Sequence, residues 1–221
     1  MRVIACLATT LDGKIASAHN LRERFGSAAD LTHLLTVRNQ ADAILCGGET
    51  FRQHMGLRKG NAQNRPPMQV VLTRRFDLPP EAGLFQKSGQ YDPPVPILIV
   101  SPEEAPLEVK QRYPAHVEWL TAGSGNPVPE LLAVLRKKGI QTLSVEGGGH
   151  IVNLFLQAGA IDEFYLTLCP LFLGGQQDSA LVSGPGFTIA QAPRTEVISS
   201  EWQGQELYLH LKVYYPSGQA D

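Results

Sequence analysis

The chain has 221 residues, 43% hydrophobic and 18% charged, an ordinary globular composition with the length to bury a sizeable core. Its 19 basic and 21 acidic residues leave a net charge of −2, so a nucleic-acid partner has no electrostatic support. No run approaches the roughly 18 apolar residues that span a membrane, and the apolar stretch at 3–8 is too short for a secretion signal, so the expectation is one cytoplasmic domain over 1–221.

In chain order, strand-length apolar runs occur at 3–8, 43–46, 70–73, 97–100, 117–120, 142–145 and 164–169. Several are almost continuously apolar, as in central strands covered on both faces. Helical patterns lie between them. Ser27 is placed to cap a helix running to about Gln40, with Leu31, Leu34, Leu35 and Val37 on one face. Gly47-Gly48 precede a short helix from Glu49 to about His54. The stretches 57–67 and 77–96 are rich in Pro, Gly, Gln and Asn and read as surface loops. Val128, Leu131, Leu132 and Leu135 form a second stripe, closed by Lys137, Lys138 and Gly139. A third helix is expected at 150–156. At the end, 197–202 and 206–214 flank Gln203-Gly204-Gln205 as a hairpin, with Leu207, Leu209, Leu211 and Val213 alternating against polar neighbours. The fold class expected is α/β: a mixed, mostly parallel sheet flanked by helices, with an antiparallel C-terminal hairpin.

Several familiar signatures are missing. There is no GxxxxGK[ST], and GxGxxG fails because Val152 stands at the third glycine position counted from Gly147. There is no GxSxG elbow and no HExxH, and the six histidines are scattered, so no metal is assigned. Cys6, Cys46 and Cys169 are odd in number, form no CxxC and sit in apolar runs. They read as buried structural thiols, with a nucleophile as the alternative.

What remains are small and polar residues directly after strands: Thr9-Thr10-Leu11-Asp12-Gly13-Lys14, Gly47-Gly48-Glu49-Thr50, Thr73-Arg74-Arg75, and Glu146 with Gly147-Gly148-Gly149. Ligands of open α/β sheets bind outside the carboxyl ends of the strands, so these patches define a candidate site. The triglycine opening a helix at His150 and Ile151 brings backbone amides to an anion such as a phosphate; a tight turn is the other reading. Arg74 and Arg75 suit a phosphate through their forked donors, or are solvated strand-end charges. Lys14 holds a substrate phosphate, polarises a reacting group, or is a surface lysine. Glu146 accepts hydrogen bonds from the N–H groups of a heterocycle, or satisfies helix-start amides.

Together these residues resemble the reductase domain of the riboflavin-biosynthesis deaminase–reductase family, which has the dihydrofolate reductase fold. The resemblance rests on Leu11-Asp12-Gly13-Lys14-Ile15-Ala16, Phe25-Gly26-Ser27-Ala28-Ala29-Asp30 leading to Arg38, and Ala43-Ile44-Leu45-Cys46-Gly47-Gly48-Glu49-Thr50. It continues in Val145-Glu146-Gly147-Gly148-Gly149, in Leu156-Gln157-Ala158-Gly159-Ala160-Ile161-Asp162-Glu163, and in Pro170-Leu171-Phe172-Leu173-Gly174-Gly175. It implies NADPH-dependent reduction of 5-amino-6-(5-phosphoribosylamino)uracil, with hydride passing to C1′ of the ring-opened ribose. By that analogy Thr50, Arg74, Gly147, Gly148, Gly149, His150 and Ile151 bind NADPH. Lys14 and Glu146 are catalytic, Glu146 also binds the pyrimidine, and Asp12 and Arg58 contact substrate. A homodimer is implied, with the C-terminal strands ending in Val213-Tyr214-Tyr215 as a pairing edge. The sequence departs from the family where an Asp-Asp-Pro run is usual, reading His54-Met55-Gly56, and where Arg24 replaces a Trp. The deaminase half, with its zinc motifs, is missing. Reduction of another pterin or imine, and nucleotide binding without catalysis, are the alternatives.

Overall fold

The computed structural model describes residues 1–17, 24–175 and 179–216. Nine strands form one sheet: β1 (Arg2–Thr10), β2 (Ala43–Gly47), β3 (Met68–Leu72), β4 (Ile97–Ser101), β5 (Val117–Thr121), β6 (Thr142–Val145), β7 (Glu163–Cys169), β8 (Arg194–Gln203) and β9 (Glu206–Tyr214). Their order is β5-β4-β3-β2-β6-β1-β7-β9-β8. Every pairing from β5 to β7 is parallel, and β9 joins β7 and β8 antiparallel. Among the described residues six helices connect them: α1 (Ala28–Arg38), α2 (Gly48–Gln53), α3 (Gly83–Ser88), α4 (Leu107–Lys110), α5 (Val128–Lys137) and α6 (Gly149–Gln157).

The central strands are apolar on both faces because helices cover both. In register, Ile4 pairs with Ser144 and Ile44 with Ser144, so Ile4 and Cys6, Ile44 and Cys46, and Ser144 and Glu146 share one face. The opposite face carries Val3, Ala5, Leu45, Leu143 and Val145, which pack on Leu131, Leu132 and Leu135 of α5 and on Val152 and Phe155 of α6. On the first face α1 lays Leu34 and Val37 over Ile4 and Cys6. Beside it, Phe51 of α2 and Phe85 of α3 join Cys46, Val71, Ile97, Ile99 and Tyr113.

Three sequence expectations need correction. The stretch 77–96 is not all surface loop: it contains α3, whose Leu84 and Phe85 are buried. A six-residue helix offers too little periodicity to be read locally; it forms because Phe85 packs on Phe51 and Tyr113. On α1, Leu31 faces solvent, 38% exposed, whereas Asp30 is buried. And although the C-terminal hairpin does supply an edge, β9 with Val213 and Tyr214 is paired on both sides; at that end of the sheet the edge is β8, exposed along its whole length. The three cysteines are buried and unbridged, and burial pushes the Cys6, Cys46 and Cys169 thiols up in pKa, Cys169 to about 12, so they are held protonated and unreactive.

Candidate active site

A cleft of about 1130 Å³ opens at the carboxyl ends of β1, β2 and β6, on the α1 face of the sheet. It is lined by Thr50, Arg58, Glu146, Gly147, Gly148, Gly149 and His150 from the sequence reading, and by Arg24, Asp30, Arg38, Gln53 and His54 besides. The strand-end patches after β2 and β6 therefore converge, whereas none of 9–14 lines the cleft and the β1 side is represented by Cys6, Leu7, Ala8, Ile15 and Ala16.

At its centre stands Glu146. Its amide continues the sheet ladder by donating to Leu45 O, and its side chain is only 4% exposed. A buried carboxylate must be compensated. Arg38, the last residue of α1, does this with two bonds: Nε donates to Oε1 at 2.8 Å and Nη2 to Oε2 at 2.7 Å. Ser144 Oγ donates to Oε1 at 3.4 Å, and Arg58 Nε lies 4.0 Å from Oε2. Burial opposes the charge on Arg38, but the field and hydrogen bonds of Glu146 outweigh it and raise the guanidinium pKa. Arg58 is itself buried, its Nη2 donating to His54 O and its backbone exchanging bonds with Gln69. The sequence signal for Arg38 was this same rule: a carboxylate at a buried strand end demands a cation, and Arg38 and Arg58 are at hand.

The three glycines answer to different constraints. Gly147 packs against Thr50, whose Oγ1 would lie 3.0 Å from a Cβ. Gly148 has φ +68°, a backbone that side chains rarely adopt. Gly149 lies under the 180–183 segment, where a Cβ would overlap Ala180 O, and its carbonyl accepts from Ser183 N. Two of the three are thus required by the protein's own packing. The α6 N-terminus they form has no side-chain cap, and its first amides have no intrahelical acceptor.

Four predicted residues are not in the cleft lining. Ile151 turns inward beside Gly47 and is 7% exposed. Arg74 is exposed beyond the end of β3, near the surface ion pairs that Arg52 and Arg75 make with Glu49 and Asp77. Asp12 accepts from the Thr10 hydroxyl and from the amides of Leu173 and Gly174, bonds that hold its pKa down at about 2; it ties the loop after β7 to the β1 turn. Lys14 is buried just behind the lining, its Nζ donating to Gly175 O at 3.4 Å.

A parallel sheet continued by an antiparallel C-terminal pair, with a carboxylate and a glycine-opened helix at one cleft, is the architecture of a small-molecule-binding α/β protein. Comparison gives it a family. Residues 1–209 match the model of the RibD C-terminal domain, and the chain belongs to that family. It is 30% identical over 220 residues to the 2,5-diamino-6-ribosylamino-4(3H)-pyrimidinone 5′-phosphate reductase of Methanothermobacter thermautotrophicus, covering 96% of this chain and 97% of that one. A pyrimidine reductase-like protein from Corynebacterium diphtheriae superposes with a TM-score of 0.80 at 20% identity, covering 96% of this chain and 92% of the other. The Thermotoga maritima diaminohydroxyphosphoribosylaminopyrimidine deaminase/5-amino-6-(5-phosphoribosylamino)uracil reductase superposes with a TM-score of 0.77 at 22% identity, and this chain, covered to 96%, spans 56% of its length. The mixed, mostly parallel sheet is of the dihydrofolate-reductase-like kind.

Proposed function

We propose that the chain, as one reductase domain over 1–221 in the cytoplasm, uses NADPH to reduce a 5-amino-6-ribosylaminopyrimidine 5′-phosphate to its ribitylamino product in riboflavin biosynthesis. This substrate class holds both the uracil expected from the sequence and the 2,5-diaminopyrimidinone named for the Methanothermobacter relative. The observation that carries the reading is the cleft in which Glu146, clamped by Arg38, stands directly before the glycine-opened start of α6. An end-to-end match to a named reductase supports it.

The residues present fit the cofactor. The uncapped first turn of α6, with the backbone at Gly147, Gly148, Gly149 and His150 bordering the cleft beside Thr50, suits a pyrophosphate. Arg74, exposed at the end of β3, is the proposed partner of a further cofactor phosphate. When bound, NADPH supplies hydride to C1′ of the ring-opened ribose. The protein's part is placement and field. Glu146 Oε1 accepts from both Arg38 and Ser144, while Oε2 keeps an acceptor position beyond its Arg38 bond, which we assign to an N–H of the pyrimidine. Arg58 adds positive charge for the substrate phosphate. Lys14 is assigned to the ribose end, where its ammonium would hold the oxygen that gains a proton; Asp12, through its turn, sets the position of Lys14.

Glu146→Gln tests this. The variant is expected to lose about a hundredfold or more in kcat/KM while its NADPH Kd stays within about twofold. Unchanged kcat/KM removes Glu146 from the substrate site. The proposed homodimer has exposed apolar residues on the free edge strand, Val197, Ile198 and Trp202, at 58%, 51% and 68% exposure. Trp202→Glu is expected to shift sedimentation from dimer toward monomer; an unaltered dimer places the interface elsewhere.

A further inference from the structure

Besides Glu146, the wall of the cleft holds the carboxylates of Glu49, which is exposed and paired with Arg52, and of Asp30. Asp30 stands at the third position of α1, after the N-cap Ser27, whose hydroxyl accepts from the amides of Ala29 and Asp30. In that pattern the third-position carboxylate normally reaches back to the N-cap amide. Here the Ser27 amide instead donates to Glu206 Oε1 at 2.8 Å, and Ser27 Oγ donates to Glu206 Oε2 at 2.6 Å. Glu206 comes from β9, so the C-terminal hairpin performs the capping and Asp30 is released to face the cleft. Asp30 is 6% exposed. Its partners are the Thr167 hydroxyl and Arg24 Nη2 at 3.3 Å. Gly26 makes the room, because a Cβ there would overlap Asp30 Oδ2. Meanwhile the neighbouring Leu31 is left in solvent. Stability alone would bury the leucine and expose the carboxylate; the reverse arrangement marks a group kept for what it binds.

We infer that Asp30 selects the substrate ring, accepting two parallel hydrogen bonds from an adjacent N–H and NH2 and so favouring a 2-aminopyrimidinone over the corresponding uracil. The inference rests on the reductase reading of the cleft. A 2-aminopyrimidinone presents N3–H and the 2-amino group side by side, the spacing that a carboxylate meets with its two oxygens. A uracil carries a carbonyl at position 2, so one carboxylate oxygen would face another acceptor. Glu146 is less suited to this two-donor edge, since Arg38 and Ser144 both donate to its Oε1 and only Oε2 keeps an acceptor position beyond Arg38.

The test uses the full chain and two probes, 2,5-diamino-6-ribosylamino-4(3H)-pyrimidinone 5′-phosphate and 5-amino-6-(5-phosphoribosylamino)uracil. Turnover with NADPH is read as kcat/KM and binding is read by calorimetry. The wild type is expected to prefer the diamino compound by about tenfold or more in both. Asp30→Asn should invert that preference, because a side-chain amide donates to the C2 carbonyl of uracil while accepting from N3–H. NADPH affinity should not move. Gly26→Ala, which displaces the carboxylate without removing it, should erase the preference. Equal binding of the two rings by the wild type, or an equal loss on both in Asp30→Asn, overturns the inference. Preferred binding that inverts in Asp30→Asn, without turnover of either compound, leaves ring recognition standing and sinks the reductase reading. Turnover of both without preference does the opposite.

Discussion

Glu146, at the end of β6, and Asp30, at the start of α1, line one cleft but differ in what holds them. Glu146 is matched by a buried guanidinium with two bonds under 3 Å and a second arginine at 4.0 Å. Asp30 has one ion-pair partner at 3.3 Å, and Arg24 is 46% exposed, so solvent weakens that pair. Burial accordingly pushes the Asp30 carboxyl up in pKa, ahead of the opposing effects of Thr167 and Arg24. Glu146 is locked in place by its partners, whereas Asp30 is held in the cleft wall at the scaffold's expense.

The same truncation on the two sides should break this symmetry most visibly. Arg38→Ala leaves a buried carboxylate without its main partner and is expected to cost about 3–5 kcal/mol in denaturant unfolding, somewhat less if Arg58 moves in. A loss below about 1 kcal/mol would show that Glu146 is not a locked charge.

Asp30→Asn sharpens the contrast through pH. The folded-state pKa of Asp30 is raised, so between the unfolded and folded values the native state binds more protons and stability falls as pH rises. Arg24, Glu206 and His33 are the charged and titratable groups that act on it, with Tyr208, Cys169 and Cys6 facing it from the sheet. Asp30→Asn should therefore melt at or above the wild-type temperature at pH 7, with the gap closing below the ordinary carboxylate range. A variant that melts lower at pH 7 and higher in acid would reverse the sign. The smallest effect belongs to Arg24→Ala, expected to change stability by about 1 kcal/mol or less because its head is half in water; a loss as large as that of Arg38→Ala would erase the distinction.

Much of the fold was legible because its signals are local. The run at 142–145 coincides with β6, and Ser27 caps α1 as its hydroxyl and position predict. The α5 stripe of Val128, Leu131, Leu132 and Leu135 is the buried one. What escaped depends on distant partners. α3 exists through aromatic packing on Phe51 and Tyr113. Asp30 looked like part of a helix start, and only Glu206, 176 positions further on, takes the capping role from it. The carboxyl-end cleft was suggested by glycines and polar residues after strands, but which of those residues line it was not: Asp12 serves a turn and Arg74 stands in solvent, outside the lining, and a polar residue after a strand looks the same in all three roles.

The most direct measurement is NADPH fluorescence with purified chain and 2,5-diamino-6-ribosylamino-4(3H)-pyrimidinone 5′-phosphate. The account predicts saturable NADPH binding at micromolar concentration and oxidation of one NADPH per ribitylamino product formed. Absence of binding at those concentrations, or binding with no oxidation of NADPH by either pyrimidine phosphate, would contradict it.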